Sequence, residues 1–333
     1  MPRRRRWLVK ALVGTAILIA VALIAFRTVA ASRERLSSRD AAPSSGRFVR
    51  SVDADVFVQE EGPADGPPVV FIHGTGAWSE IWRGSMRTIA ARGYRAIAVD
   101  LPPFGFSSRP EPPDYRDDAQ ARRIIGVLDA LKLERVTLVG HSFGARPTMQ
   151  ANFLDTSRVR ALVLVDAALG LSAPKSAAQP AWPIRALLGI APLRDALVSA
   201  TLTNPRMTRR LLGKLISEQS AATPERVAML QRPFVVDGTT ARFGEWLRAF
   251  VTVSDRSMAN QAEHYAGLRI PALVLWGERD SLTPIEQGRH LASLIPGARL
   301  VVLPRAGHIP AIEDPAGFDA ALVAFLSDVN PIR

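Results

Sequence analysis

The sequence predicts an α/β fold: a mostly parallel central sheet with helices on both faces, a helical insertion, and an apolar helix ahead of the body. Three observations predict it. Short β-branched apolar runs recur along the chain, and strands buried on both faces read as such continuous runs. Segments with apolar residues at helical spacing separate them, and strand–helix alternation is the pattern of a parallel sheet covered on both sides. Between residues 170 and 262 the strand runs stop, although helical spacing continues.

In chain order, residues 11–26 (ALVGTAILIAVALIAF) carry no charge and no proline, and with Trp7, Leu8 and Val9 the apolar stretch runs over 7–26, broken by Lys10. Twenty residues at ~1.5 Å per residue cover roughly 30 Å, the hydrocarbon thickness of a bilayer, and Lys10 can snorkel to the headgroups. The expectation is a membrane anchor through residues 7–26. Its rival is a cleaved signal peptide with Val29-Ala30-Ala31 as the small-residue site, and Arg4-Arg5 before Trp7-Leu8 loosely matches a twin-arginine signal. Basic residues flank both ends, with a small excess on the N-terminal side, which places the N-terminus in the cytoplasm and the body outside, in a periplasmic setting; secretion after cleavage is the alternative. Residues 32–46 lack periodicity and are rich in Ser, Arg and Ala, the composition of a tether.

Strands are expected at Phe48–Val52, Val56–Val58, Pro68–Ile72, Arg95–Leu101, Val136–Gly140, Ala161–Asp166, Ala272–Trp276 and Leu300–Leu303. Helices are expected at Trp82–Ala91, Asp117–Leu131, Ala145–Leu154, Pro284–Leu294 and Pro315–Asp328. The organisation that follows is 1–31 anchor or signal, 32–46 linker, 47–169 first part of the core, 170–262 helical insertion and 263–333 second part of the core.

Composition removes several classes. The chain has 333 residues, 47% of them hydrophobic, and no cysteine. It is too apolar to be disordered, and it can hold no disulfide, no Cys-ligated zinc and no Cys nucleophile. Its net charge of +11 invites a nucleic-acid reading. Residues 1–50 hold eleven basic and two acidic residues, which leaves the body close to neutral. A phosphate-tracking surface needs its cations on the folded domain, so nucleic acid is excluded as a partner.

Gly140-His141-Ser142-Phe143-Gly144 follows a strand run and precedes a helical segment. In that context G-x-S-x-G marks a sharp strand-to-helix turn with the Ser at its tip, in strained φ/ψ, where a helix N-terminus favours developing negative charge. A Ser nucleophile needs a base. Of the five histidines, His308 falls on the loop after the last strand, at the carboxyl edge where Ser142 emerges; His73, His264 and His290 are set aside. Asp280, on the loop after Ala272–Trp276, is the expected orienting carboxylate, preferred over Glu278 and over Asp166, whose expected role is to cap its loop by hydrogen bonds. Two N–H donors are needed for an oxyanion: that of Phe143 and that of Thr75, with Gly76 in reserve. Trp78 and His141 are expected at the substrate pocket, plain packing being the alternative for Trp78. No metal site is expected.

His73-Gly74-Thr75-Gly76, the run Asp100–Ser108 (DLPPFGFSS), the Ser142 elbow, Gly277-Glu278-Arg279-Asp280 and Gly307-His308 together resemble the motifs, in order, of the α/β-hydrolase superfamily, in its serine hydrolase branch with a helical cap. The resemblance covers about residues 48–333. Pro103 departs from it, standing where relatives usually have Gly. The resemblance implies that residues 170–262 form a cap over the pocket, that no cofactor is used, and that the substrate is a small acyl compound. Relatives that open epoxides or carbon–halogen bonds use an Asp nucleophile, and Ser142 stands in that place here. Hydrolysis of a carboxylic ester is the expected reaction, with C–C cleavage of a β-diketone-like substrate as the alternative and a tethered, low-turnover binding protein as the reading from another class. The cap aromatics Trp182, Phe234, Phe243, Trp246 and Phe250 are expected either to line an apolar pocket or to form the cap's own core.

Overall fold

The computed structural model describes residues 3–171, 182–252 and 257–332. Eight strands form one sheet: β1 (Arg47–Arg50), β2 (Asp55–Glu61), β3 (Pro68–Ile72), β4 (Arg95–Val99), β5 (Val136–His141), β6 (Val159–Val165), β7 (Ala272–Gly277) and β8 (Arg299–Leu303). Their order is β1-β2-β4-β3-β5-β6-β7-β8. β1–β2 and β2–β4 pair antiparallel, and every later pair is parallel. The central strands β5 and β7 are buried at every residue, as expected where helices cover both faces. The fourth strand ends two residues short of the expected Leu101. Asp100 lies just beyond it: its amide still donates to the Phe57 carbonyl of β2 at 2.9 Å, while its carboxylate ties down the following loop, Oδ1 accepting from the Ser79 amide and Oδ2 from the Phe106 amide, both at 2.7 Å.

The helices are α1 (Arg3–Arg33), α2 (Ser38–Ala41), α3 (Arg83–Ala90), α4 (Asp117–Ala130), α5 (Ala145–Leu154), α6 (Trp182–Gly189), α7 (Ala191–Ala200), α8 (Pro205–Leu215), α9 (Pro224–Gln231), α10 (Thr239–Val251), α11 (Ile285–Leu294), α12 (Pro310–Glu313) and α13 (Pro315–Val329). Two core clusters lie on opposite faces of the sheet. One joins α4, α5 and α11 through residues such as Ile124, Val127, Met149 and Leu291; the other joins α3 and α13 through Met86, Ile89, Phe318 and Leu322. Helices α6–α10 come from the insertion between β6 and β7.

Helix α1 is long and apolar enough to cross a membrane by length and composition. Residues 32–46, read as a loose tether, are instead folded onto the body. Arg33 donates to the carbonyls of Thr203 and Phe234. Glu34 is buried, accepts from the Thr240 hydroxyl and amide, and is pushed above the usual carboxylate range by that burial against the opposing hydrogen bonds. Leu36 pairs with Val236 in an isolated parallel bridge. These partners lie about 170–206 residues along the chain, so local composition gave no sign of them.

The Asp100 loop tests the fold. Gly105 has φ +58°, and a Cβ there would meet Asp100 Oδ2 at 2.0 Å. Gly105→Ala combines a backbone conformation that Cβ disfavours with a collision inside a buried carboxylate's hydrogen-bond set. It is expected to lower stability by roughly 3 kcal/mol or more, read as the drop in urea midpoint at unchanged slope.

Candidate active site

The strand–turn–helix context predicted for Ser142 is present. β5 ends at His141, a 3-10 turn covers Ser142–Gly144, and α5 follows. Ser142 sits at φ +52°, a conformation that a non-glycine residue holds only when its surroundings impose it. The flanking glycines are required by contact: a Cβ on Gly144 would stand 2.4 Å from the His73 carbonyl oxygen, and one on Gly140 2.9 Å from the Ala145 Cα.

The structure brings Ser142, His308 and Asp280 together from three loops at the carboxyl edge of the sheet. His308 Nε2 lies 2.8 Å from Ser142 Oγ, and His308 Nδ1 lies 2.7 Å from Asp280 Oδ2. All three side chains are buried. Asp280 Oδ1 accepts from the amides of Leu282 and Thr283 at 2.8 and 2.9 Å, while the Thr283 hydroxyl donates to Oδ2. Burial pushes the Asp280 carboxyl up, and the hydrogen bonds from His308 and Thr283 outweigh it, holding it below the usual carboxylate range. Asp280 is therefore an anion aimed at the His308 Nδ1–H. Thr283 escaped the sequence reading; the available signal was a Ser/Thr-bearing turn, Asp280-Ser281-Leu282-Thr283, directly after the carboxylate.

Asp166 is close by. Its backbone is at φ +41°, Oδ1 accepts from the Gly277 amide at 3.0 Å, and the carboxyl is buried beside that of Asp280. The loop-capping role expected for it is thus present at one oxygen. Burial first, and the Asp280 charge second, push its carboxyl well above the usual range. Two adjacent buried carboxylates cannot both ionise cheaply, so Asp280 carries the charge and Asp166 the proton.

The two histidines of the loops are fixed neutral. His141 Nε2–H donates to the His308 carbonyl at 2.7 Å, and burial lowers its pKa to about 3. His73 Nε2 accepts from the Leu101 amide at 3.0 Å, which leaves Nδ1–H to donate to the Gly74 carbonyl at 2.8 Å. Burial lowers the His73 pKa to about 4. The unfolded chain takes up this proton near pH 6.5 and the folded chain only near 4. The stability that His73 contributes is therefore complete above pH 6.5 and is lost as pH falls toward 4. The loss from this residue is on the order of 3 kcal/mol. Thermal melts between about pH 7 and 4 are expected to show a shallower decline for His73→Gln than for the native protein; equal slopes would mean that other groups carry the acid limb.

A cavity of about 520 Å3 opens in front of Ser142, a size suited to a small organic ligand. Its floor is Gly74–Ala77, His141, Ser142 and His308, and its walls are cap residues including Leu211, Leu215, Phe234, Phe243, Trp246 and Phe250. Thr75 and Gly76 both face it. The loop bearing them passes close to Ser142, since a Cβ on Gly74 would stand 3.1 Å from the Ser142 Cβ. His141 lines the cavity. Trp78 does not: it is fully buried, its indole N–H donates to the Met229 carbonyl at 2.9 Å, and it packs edge-on against Phe106. A loop tryptophan that can bond a cap carbonyl is more stable inside than in an apolar cavity. Four of the five cap aromatics line the cavity, and Phe243 and Trp246 belong to the packed core as well. The fifth, Trp182, is absent from the lining and lies on the outer face of α6.

A doubly covered sheet of this strand order, with a Ser at a strand–helix elbow facing an apolar cavity, is the architecture of a hydrolase. A family model described as alpha/beta hydrolase fold matches residues 67–315, and the chain belongs to that family. It is 30% identical over 267 residues to an uncharacterised protein of Mycobacterium tuberculosis (80% of this chain, 77% of the relative). It is 29% identical over 286 residues to 2-hydroxy-6-oxo-2,4-heptadienoate hydrolase of Pseudomonas putida (85% and 96%). Among solved structures it is similar to a meta-cleavage product hydrolase of Pseudomonas fluorescens, with TM-score 0.70 and 25% identity over 86% of this chain and 98% of that one. A membrane phospholipase A, described as a bacterial virulence factor, shares the fold at TM-score 0.68 and 24% identity over 98% of this chain and 100% of that one.

Proposed function

We propose that this hydrolase is a membrane-anchored serine esterase, acting on a carboxylic ester with an apolar acyl or alcohol group. The observation that carries the reading is the continuous relay Ser142 Oγ–His308–Asp280, with contacts of 2.8 and 2.7 Å. In the proposed mechanism His308 Nε2 takes the Ser142 proton as Oγ attacks the carbonyl carbon. The amides of Phe143 and Thr75 receive the oxyanion, and Asp280 stabilises the imidazolium. His308 then hands its proton to the leaving alcohol, and water repeats the cycle on the acyl-enzyme. His141 orients His308 through its carbonyl, so it is a positioning residue.

The second reading is C–C cleavage, favoured by the names of two relatives. A dienoate carries a carboxylate, and such a group calls for a cationic or N–H partner. Among the described residues the cavity wall has one cationic side chain, Lys214, which is exposed. An uncharged ester suits that wall better. A chain-length series of p-nitrophenyl esters, run beside a β-diketone, tests the choice: ester turnover is expected to exceed diketone turnover, with longer acyl chains favoured through KM. Faster diketone cleavage would replace the ester reading.

The anchor reading, residues 7–26 retained rather than cleaved, is supported by the packing of Ala30 and Glu34, and the small excess of basic residues on the N-terminal side favours the body on the far side of the cytoplasmic membrane. Cleavage at Val29–Ala31 would cut within the helix that these contacts hold.

A further inference from the structure

Among the described residues outside α1, few large apolar side chains are exposed, and three of them crowd into nine positions: Trp182 (78% exposed), Ile184 (49%) and Ile190 (53%). They lie on α6 and its turn into α7. Soluble surfaces scatter such residues singly, so a cluster calls for a partner.

The depth of this corner can be read from its neighbour. α7 packs along α1, on the stripe Leu23, Arg27, Ala30, Glu34, whose members are the half-buried or buried positions of those turns. Arg27 is within electrostatic reach of Asp195, and Arg33 bonds the Thr203 carbonyl. Both numbers rise together, so the two helices run in the same direction. α7 is ten residues, about 15 Å, long and ends just before Thr203, which Arg33 at the end of α1 bonds, so its start lies about ten residues back along α1, level with Leu23. Leu23 lies inside the uncharged run 11–26. The α6–α7 corner therefore hangs at the depth of the anchor's last apolar turns, with Trp182, Ile184 and Ile190 pointing away from the protein.

We infer that the α6–α7 corner is a second membrane contact: it dips beside the anchor into the acyl-chain region of the same bilayer. Tryptophan and isoleucine at that depth match the interfacial belt and the hydrocarbon just beneath it. The inference rests on the anchor reading and deepens the esterase reading. Leu202, two residues beyond α7, lines the cavity, as do Thr208, Leu211 and Leu215 of α8. α7 thus links the embedded corner to the cap residues that wall the cavity, and on this inference a long-chain acyl ester enters from the leaflet on that side.

Because the chain has no cysteine, single cysteines can be labelled cleanly. The full-length protein is reconstituted in phosphatidylcholine vesicles containing lipids with a nitroxide at acyl carbon 5 or carbon 12. A fluorophore is placed at Ile184→Cys, at Ile17→Cys in the anchor, or at Ser293→Cys on α11. The label at position 184 is expected to be quenched by the shallow nitroxide, that at 17 by the deep one, and that at 293 by neither. Quenching at 17 with none at 184 would overturn the inference and leave the anchor, the corner then facing water or a second copy. No quenching at 17 would overturn both. In parallel, Trp182→Ser/Ile184→Ser/Ile190→Ser is expected to lose about tenfold or more of its turnover of a long-chain ester held in the vesicles, by losing bilayer contact, while keeping turnover of soluble p-nitrophenyl butyrate. Equal loss on both substrates would overturn the proposed route. Absence of butyrate turnover in the native protein would remove the esterase reading alone, since the quenching result stands apart from it.

Discussion

Ser142→Ala is expected to abolish hydrolysis: a loss of about 10^4- to 10^6-fold in kcat, the range seen when a relay nucleophile is removed. The fold should survive the change. The Ser142 hydroxyl meets His308 Nε2, and Ala faces the same backbone strain at φ +52° as Ser does. The melting temperature should therefore move little, which separates chemical loss from unfolding. A fluorophosphonate probe should label the native protein and spare the variant. Equal labelling of the two would sink the nucleophile assignment, and with it the esterase reading.

Asp280→Asn is the second large effect, about 10^4-fold in kcat, the loss that follows when the orienting carboxylate of a serine protease becomes an amide. The amide keeps the shape of the turn but no longer accepts from His308 Nδ1–H as an anion. The neighbouring carboxyl modifies the outcome. Asp166 is protonated largely because it is buried and because Asp280 holds the local negative charge. Once Asp280 is an amide, the like-charge repulsion is gone and Asp166 can ionise more easily in the same cluster, where the donor atoms of Asp166, Asp280 and His308 lie within 4.8 Å of one another. The residual activity of Asp280→Asn is expected to fall by about another tenfold when Asp166→Asn is added. A double variant no slower than the single one would restrict Asp166 to its bond with the Gly277 amide.

Much of this was legible in the sequence because the chemistry is carried by short-range punctuation. Each of these strand runs ends in a loop that holds part of the candidate site: Ile72 before the Gly74–Gly76 loop, Val139 before Ser142, Trp276 before Asp280, Leu303 before His308. Gly, Pro and the β-branched runs fix where those loops fall, and parallel strands bring their carboxyl ends to one edge. What stayed hidden depends on contacts between distant residues. Trp78 reads as a pocket aromatic until the Met229 carbonyl, on a helix 151 residues later, is seen to hold it. Trp182 reads as a pocket or cap-core aromatic until α6 is seen to turn it outward. Asp166 became part of the Asp280 environment only when β6 and β7 were placed side by side.

The junction of Arg33, Glu34 and Leu36 with the cap bears on how this protein can be handled at the bench. Membrane-anchored enzymes are often trimmed to a water-soluble piece at the first strand, here β1. Such trimming would take away the carboxylate that pairs with Thr240, leaving its hydroxyl to Thr203 alone at 2.8 Å. It would also strip the neighbour from the packed side of α7 and unseat Val236 from its bridge. The first 46 residues act less as a handle than as a keystone, and a shortened protein would report on a cap that has lost one of its walls.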